Sequence, residues 1–286
     1  GEQTAKVISK MESCLVQYEP DLLVVYGDVN STMGATIAAS KMNIKVAHIE
    51  SGLRSMDRKM PEEINRIIVD SIADYHFVTE QSGVDNLLRE GHSIETIFFA
   101  GNTMIDSLYK VLPKVGNSKG MGNYVLMTMH RPSNVDDRLQ LQKIVEICHR
   151  SEMSVVFPMH PRTEKNLHKF KLFDSLQQKE NVHLTKPIGY FKFISYMKDA
   201  AAVITDSGGI QEETTALGVP CLTLRNSTER PVTISEGTNI LVETPDEVLY
   251  NLSLIEKGEY KKGSRPKLWD GEAGLRIANI ISKEIL

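Results

Sequence analysis

Between Leu22 and Gly52 the chain reads strand, helix, strand, and this unit restricts the possible folds more than any other stretch. Leu22-Leu23-Val24-Val25-Tyr26 is an unbroken apolar run that stops at Gly27-Asp28. Asn30, Ser31 and Thr32 can cap a helix running from Met33 to Lys41. A second apolar run, Ile44 to Ile49, carries His48 and ends at Glu50 and Ser51-Gly52. A helix between two strands makes the strands parallel and the crossover right-handed. Both strands then finish at one sheet edge, so Asp28 and Glu50 are expected to face one cleft.

The alternation continues. Pro61 suits the first position of a helix, with Glu62 and Glu63 in its first turn. Tyr75-His76-Phe77-Val78 and residues 96–100 read as strands, each followed by a helix. Residues 113–122, rich in Gly with Pro113, Asn117 and Ser118, read as a linker. Beyond it, strands recur at 124–128, 155–157, 182–184, 201–204, 221–224 and 239–242, with helices at 138–150, 191–198 and 245–256. The fold class expected is α/β, with two parallel-sheet domains spanning 1–115 and 120–270 and a cleft between them. Gly1 already lies inside a helix-like pattern, so the chain is expected to start part-way through a domain.

Composition excludes several function classes. The 286 residues are 41% hydrophobic and 24% charged, with a formal net charge of −4. That balance offers no electrostatic case for nucleic acid or an anionic membrane. No apolar run approaches the ~20 residues of a membrane span. Cys14, Cys148 and Cys221 are odd in number, far apart and set among apolar neighbours. They read as reduced core residues of a cytoplasmic protein. No His/Cys cluster has zinc spacing, so no metal is expected; His130 and His160 can meet in space, but two histidines without cysteine are weak grounds. There is no Gly-x-Ser-x-Gly elbow, no Walker lysine and no full dinucleotide fingerprint.

The positive signal is a set of polar residues at the strand ends: Asp28, Glu50, Glu62, His130, His160, Arg162, Asp206, Ser207, Glu213, Arg225 and Arg230. Asp28 and Glu50 suit acid/base work in a closed cleft, or else cap the helices that follow. His130 can donate to a phosphate or relay a proton, or serve as a satisfied structural histidine. Arg162, Arg225 and Arg230 can clamp phosphate, or form surface ion pairs. Thr205-Asp206-Ser207-Gly208-Gly209 joins an apolar strand to a helix closed by Gly218. Such a turn brings backbone and free N–H groups to an anion, with Glu212 and Glu213 in the helix's first turn to accept from sugar hydroxyls. The competing reading is a capped helix, with Asp206 or Ser207 as the cap.

Seven motifs in order carry a resemblance: Tyr26-Gly27-Asp28, His48 to Arg54, Met60 to Arg66, Gly101-Asn102-Thr103, Thr128 to Arg131, Thr205 to Glu213 and Thr228 to Pro231. Together they resemble the non-hydrolysing UDP-N-acetylglucosamine 2-epimerases over essentially the whole chain. The resemblance implies the GT-B architecture, two Rossmann-like domains with a C-terminal helix (275–286) returning to the first. It implies that Asp28, Glu50 and Glu62 are catalytic carboxylates and His130 a catalytic or phosphate-facing histidine. Ser207, Gly208 and Gly209 would hold the UDP phosphates and Glu213 the ribose. Phe193 would lie beside the uracil, and Arg230 near the substrate. The implied chemistry needs no cofactor, the implied ligands are UDP-N-acetylglucosamine and UDP, and the family is commonly homodimeric.

The chain departs from the family pattern in three places. An opening strand and glycine-rich loop, which contributes an arginine to the UDP site, are absent ahead of Gly1, so the first domain is expected to lack its N-terminal strands. Pro132-Ser133-Asn134 follows His130-Arg131, and Val232 follows Pro231. Three alternatives stand beside the epimerase: a hydrolysing 2-epimerase that releases N-acetylmannosamine and UDP, a non-catalytic UDP-sugar-binding protein, and a glycosyltransferase of the same architecture.

Overall fold

The apolar runs fold into two parallel sheets, each flanked by the helices that connect its strands. The computed structural model describes residues 1–118 and 123–286. Gly120 and Gly122 of the expected linker lie outside the described residues. The chain divides into two compact units, Gly1–Asp106 with Lys267–Leu286, and Ser107–Pro266.

In the first unit β1 (Leu22–Tyr26), β2 (Lys45–Ser51), β3 (Tyr75–Val78) and β4 (Ile97–Phe99) lie side by side in chain order, all parallel. Alternate residues of a strand face opposite sides. Val25 and Val46 pack with Leu15, Ala35, Ala38 and Val69 from the connecting helices. Ala47 and Phe77 face the other way, against Ile277 of the helix Ala273–Ile280. Trp269, fully buried just before that helix, donates its indole N–H to the Thr79 carbonyl at 2.9 Å. Asp106 accepts from the Ala273 and Gly274 amides at 3.0 and 2.7 Å, satisfying donors at the helix start.

The structure departs from two local expectations. The helix after β1 begins at Asn30, capped by Val29 without a side-chain bond, so Asn30, Ser31 and Thr32 lie inside it. Thr32 instead donates to the Tyr26 carbonyl at 2.6 Å, tying the helix to the strand end. Cys14 is exposed while Cys148 and Cys221 are buried. The helix Glu2–Tyr18 buries Leu15, and the adjacent position points well away from it.

In the second unit six parallel strands follow the order β10-β9-β8-β5-β6-β7. They are β5 (Tyr124–Thr128), β6 (Ser154–Pro158), β7 (Val182–Thr185), β8 (Ala202–Thr205), β9 (Cys221–Leu224) and β10 (Asn239–Val242). Strand order runs one way through β6 and β7 and the other way through β8, β9 and β10. The reversal falls between β5 and β8, where the carboxyl ends leave a crevice suited to a ligand. The core beneath it is built on Val125, Met127, Val155, Phe157, Ile204 and Leu222, with Cys148 among them.

Candidate active site

In the first unit, the parallel register pairs Tyr26 with Ile49, so β1 and β2 end together. Gly27, with φ of 67°, turns the chain out of β1, and a Cβ there would sit 3.7 Å from Glu50 Oε2. Asp28 and Glu50 are therefore neighbours at one strand edge. Glu50 itself has φ of 69°, and the β2–β3 register shifts between Ile49 and Ser51. A glutamate in the left-handed region carries backbone strain, and such strain gathers at functional sites.

The helix Pro61–Ile72 supplies the partners. Arg66 Nη2 donates to Asp28 Oδ2 at 2.6 Å and Nη1 to Glu63 Oε2 at 2.9 Å. Asn65 Nδ2 donates to the Asp28 carbonyl at 2.8 Å. Glu63 is buried and accepts from the Ser55 and Met56 amides, both at 2.9 Å, which folds the loop after β2 back onto this helix. Glu62 stays exposed at the second helical position. Adjacent residues on a helix point about 100° apart, so one of the pair turns in and its neighbour out. The sequence does not single out Arg66 and Asn65 as partners of Asp28, or Glu63 as the partner of Arg66, though Glu63 and Arg66 stand at i, i+3 on one face.

In the second unit the β5–β8 crevice is organised by Asp206, which is fully buried. Its carboxylate accepts from the His130 and Arg131 amides at 3.0 and 2.9 Å, from Asn134 Nδ2 at 3.2 Å and from His130 Nδ1 at 2.9 Å. Burial alone would raise the Asp206 pKa, but these donors hold it below the ordinary carboxylate value. Asp206 thus fixes Nδ1 of His130 as a donor, leaving Nε2 for the crevice. A cavity of about 320 Å³ opens there, lined among others by Thr128, His130, His160, Phe193, Ser207 and Ile210. The rings of His130 and His160 are 5.8 Å apart.

Ser207 takes the N-cap position of the helix Gly208–Leu217 but makes no side-chain cap bond. The capping reading is thereby set aside, and Ser207 lines the cavity instead. Glu212 and Glu213 fall in the second turn, because the helix begins only at Gly208. Gln211 anchors the turn from below: its Nε2 donates to the Ser207 carbonyl at 3.1 Å, and its Oε1 accepts from Thr228 Oγ1 at 2.7 Å and Asn239 Nδ2 at 3.0 Å. Glu213 accepts from the Tyr190 hydroxyl at 2.6 Å, and burial raises its pKa against that bond.

The arginines separate. Arg162 is held by Asp136 at 2.7 and 2.6 Å on an exposed surface, the ion-pair reading rather than a phosphate clamp. Arg225 and Arg230 turn inward, Arg225 Nη2 reaching Glu229 Oε2 at 2.9 Å and Arg230 Nε reaching Glu212 Oε1 at 2.8 Å. Burial works against ionisation of Glu229, but Arg230, Arg225 and Arg131 together lower its pKa to about 2. A Cβ at position 208 would meet Glu229 Oε1 at 2.6 Å, so any side chain there must shift this carboxylate away from where its arginines hold it.

A family model described as UDP-N-acetylglucosamine 2-epimerase matches residues 1–282. The chain belongs to the UDP-N-acetylglucosamine 2-epimerase family. A UDP-N-acetylglucosamine 2-epimerase of Methanocaldococcus jannaschii is 40% identical over 296 residues, which span 99% of this chain and 81% of the relative. The crystal structure of a Methanocaldococcus jannaschii UDP-GlcNAc 2-epimerase in complex with UDP-GlcNAc and UDP superposes with a TM-score of 0.88 at 39% identity, covering 99% of this chain and 81% of that one. The chain is also similar to a UDP-2,3-diacetamido-2,3-dideoxy-D-glucuronate 2-epimerase of Pseudomonas aeruginosa, 33% identical over 291 residues, or 99% of this chain and 80% of the relative. The fold of this family member is of the GT-B type, two Rossmann-like units with parallel sheets.

Proposed function

We propose that this protein interconverts UDP-N-acetylglucosamine and UDP-N-acetylmannosamine without releasing free sugar. The reaction class rests on one observation, the neighbouring carboxylates Asp28 and Glu50 at the end of β1 and β2, with Glu50 held in a strained conformation. The substrate is that named for relatives up to 40% identical. A carboxylate of the set Asp28, Glu50 and Glu62 removes the proton from C2 as the C1–O bond to UDP breaks, leaving a glycal. A proton returns to C2 on the opposite face, and UDP adds back at C1. Breaking a C–H bond requires a placed base, and inversion requires a second group on the other face. Arg66 Nη2 pairs with Asp28 Oδ2 at 2.6 Å and fixes where that carboxylate sits, which suits Asp28 as the placed base.

The second unit takes the nucleotide. The N–H groups of Gly208 and Gly209 at the helix start, together with the Ser207 hydroxyl and His130, receive the diphosphate and stabilise its charge as it leaves. Phe193 in the cavity wall packs on the uracil, and Glu213 accepts from the ribose. Arg230 serves through its ion pairs with Glu212 and Glu229. No redox step occurs, and every proton and leaving group is accounted for by the substrate and these side chains. The protein acts as a homodimer in the cytoplasm, which sedimentation and fractionation would check.

The test is incubation with UDP-N-acetylglucosamine in D₂O. UDP-N-acetylmannosamine carrying deuterium at C2 is the expected product. Free N-acetylmannosamine and UDP as sole products would establish the hydrolysing reaction, and UDP binding without deuterium uptake would establish a binding protein.

A further inference from the structure

Asp70 lies in the helix Pro61–Ile72, fully buried, and has no part in the chemistry just described. Its Oδ1 is 2.6 Å from His48 Nδ1. Its Oδ2 accepts from the Gly52 amide at 3.0 Å and lies 2.7 Å from Arg54 Nη1. His48, also fully buried, places Nε2 2.9 Å from the carbonyl oxygen of Gly27. Arg54 in turn donates to Glu90 from Nε at 2.8 Å and Nη2 at 2.6 Å. One carboxylate therefore reaches three backbone segments: the end of β1 through His48, the end of β2 through His48 itself, and the following turn through Gly52.

We propose that Asp70 is a positioning residue for proton transfer at C2, locking the two strand ends that carry Asp28 and Glu50. The proposal rests on the epimerase reading above. Gly27, the residue tied through His48, immediately precedes Asp28. Glu50 stands two residues after His48 and two before Gly52, so both its flanks are bound to the same carboxylate. A left-handed glutamate persists only where its surroundings over-determine it, and this double tether does so.

The tether is ionic. Both neighbours of the His48 ring, an ionised carboxylate and a carbonyl, are acceptors, so both ring nitrogens carry protons and the ring is an imidazolium. The groups facing it are Asp70 from the helix, the Gly27 carbonyl from β1, Glu50 from its own strand and His76, paired with it in register on β3. Burial works against the charged ring, but Asp70, the Gly27 carbonyl and Glu50 raise its pKa above the ordinary value. A buried chain of charges gains little stability over an apolar core, but it fixes geometry when every member is satisfied. Catalysis is sensitive to such geometry, since a displacement of about 1 Å can cost about a hundredfold in rate.

The experiment is Asp70→Asn, assayed well below its unfolding midpoint for C2 deuterium uptake, epimer formation and UDP affinity. The amide cannot accept from His48, Gly52 and Arg54 together and removes the counter-charge of His48. The expected result is a fall in kcat of about a hundredfold, with KM and the Kd for UDP within about twofold. Nitrogen NMR of His48 should show both ring nitrogens protonated at pH 8 in the wild-type protein and a neutral ring in the variant. An unchanged kcat, or a loss no larger than the unfolded fraction, overturns the proposal. Should Asp70→Asn not fold, His48→Gln keeps a donor for Gly27 and breaks the ionic tether; wild-type kcat there overturns it equally. An inactive wild-type protein overturns the epimerase reading itself, whereas an active wild type with an active Asp70→Asn overturns only the positioning role.

Discussion

Asp28 is paired with Arg66 at 2.6 Å and Glu50 is held at a φ of 69°, so each can be altered at its carboxylate without removing its bulk. Asp28→Asn and Glu50→Gln are expected to abolish deuterium uptake at C2 while leaving the calorimetric affinity for UDP within about threefold, because the nucleotide contacts proposed above belong to other residues. Wild-type rates in either variant would remove it from the chemistry. On the nucleotide side, Gly208→Ala places a methyl 2.6 Å from Glu229 Oε1 and pushes that carboxylate off its arginines. The Kd for UDP should rise by at least about tenfold, or about 1.4 kcal/mol, measured by the same calorimetry. Polar residue types at strand ends were readable in sequence as a set. Their pairings were not: Arg162 and Arg230 read alike, yet one holds Asp136 at the surface and the other holds buried Glu212.

At the scale of elements, two helices position the proposed site. Pro61–Ile72 was legible from Pro61 and its acidic first turn, and Gly208–Leu217 from the Ser-Gly-Gly turn and Gly218, which has φ of 73°. What escaped the pattern is which side of each helix matters. Glu62 and Glu63 are chemically identical in sequence, and only the loop after β2, docking through the Ser55 and Met56 amides, selects Glu63 as the buried one. That loop depends on Gly52, with φ of 79° and a Cβ position 2.4 Å from the Gly83 carbonyl oxygen. Gly52→Ala must therefore both strain the backbone and displace the helix Gln81–Arg89. A loss of at least about 2 kcal/mol in urea unfolding is expected. A change below about 0.5 kcal/mol would show that the turn relaxes freely.

For the molecule as a whole, acid is the informative perturbation, because each unit buries an ionised carboxylate among cations. Glu229 in the second unit has its pKa lowered from 4.5 to about 2, with burial opposing the shift and three arginines producing it. A depressed folded pKa contributes stability that is complete above the unfolded value and is lost as pH falls through the folded one. The contribution is about 3 kcal/mol, lost between about pH 4.5 and 2. Asp70, also depressed, acts in the same direction in the first unit. Thermal midpoints should fall steeply below pH 4.5, and Glu229→Gln should flatten the part of that slope belonging to the second unit. An unaltered slope would mean that the arginines leave Glu229 unshifted.

Sequence by itself determined the elements and their direction. Apolar runs separated by amphipathic helices can only form parallel strands with right-handed crossovers, and glycine at a strand end marks where the chain leaves the sheet. From that alone Asp28 and Glu50 had to finish on one edge. Tertiary structure decided the rest, because hydrogen bonds between side chains distant in sequence leave no periodic trace. Strand order in the second unit, with its reversal between β5 and β8, is what joins His130 to Asp206 across 76 residues. The same is true of Asp70, an ordinary helical aspartate until the fold sets His48, Gly52 and Arg54 around it.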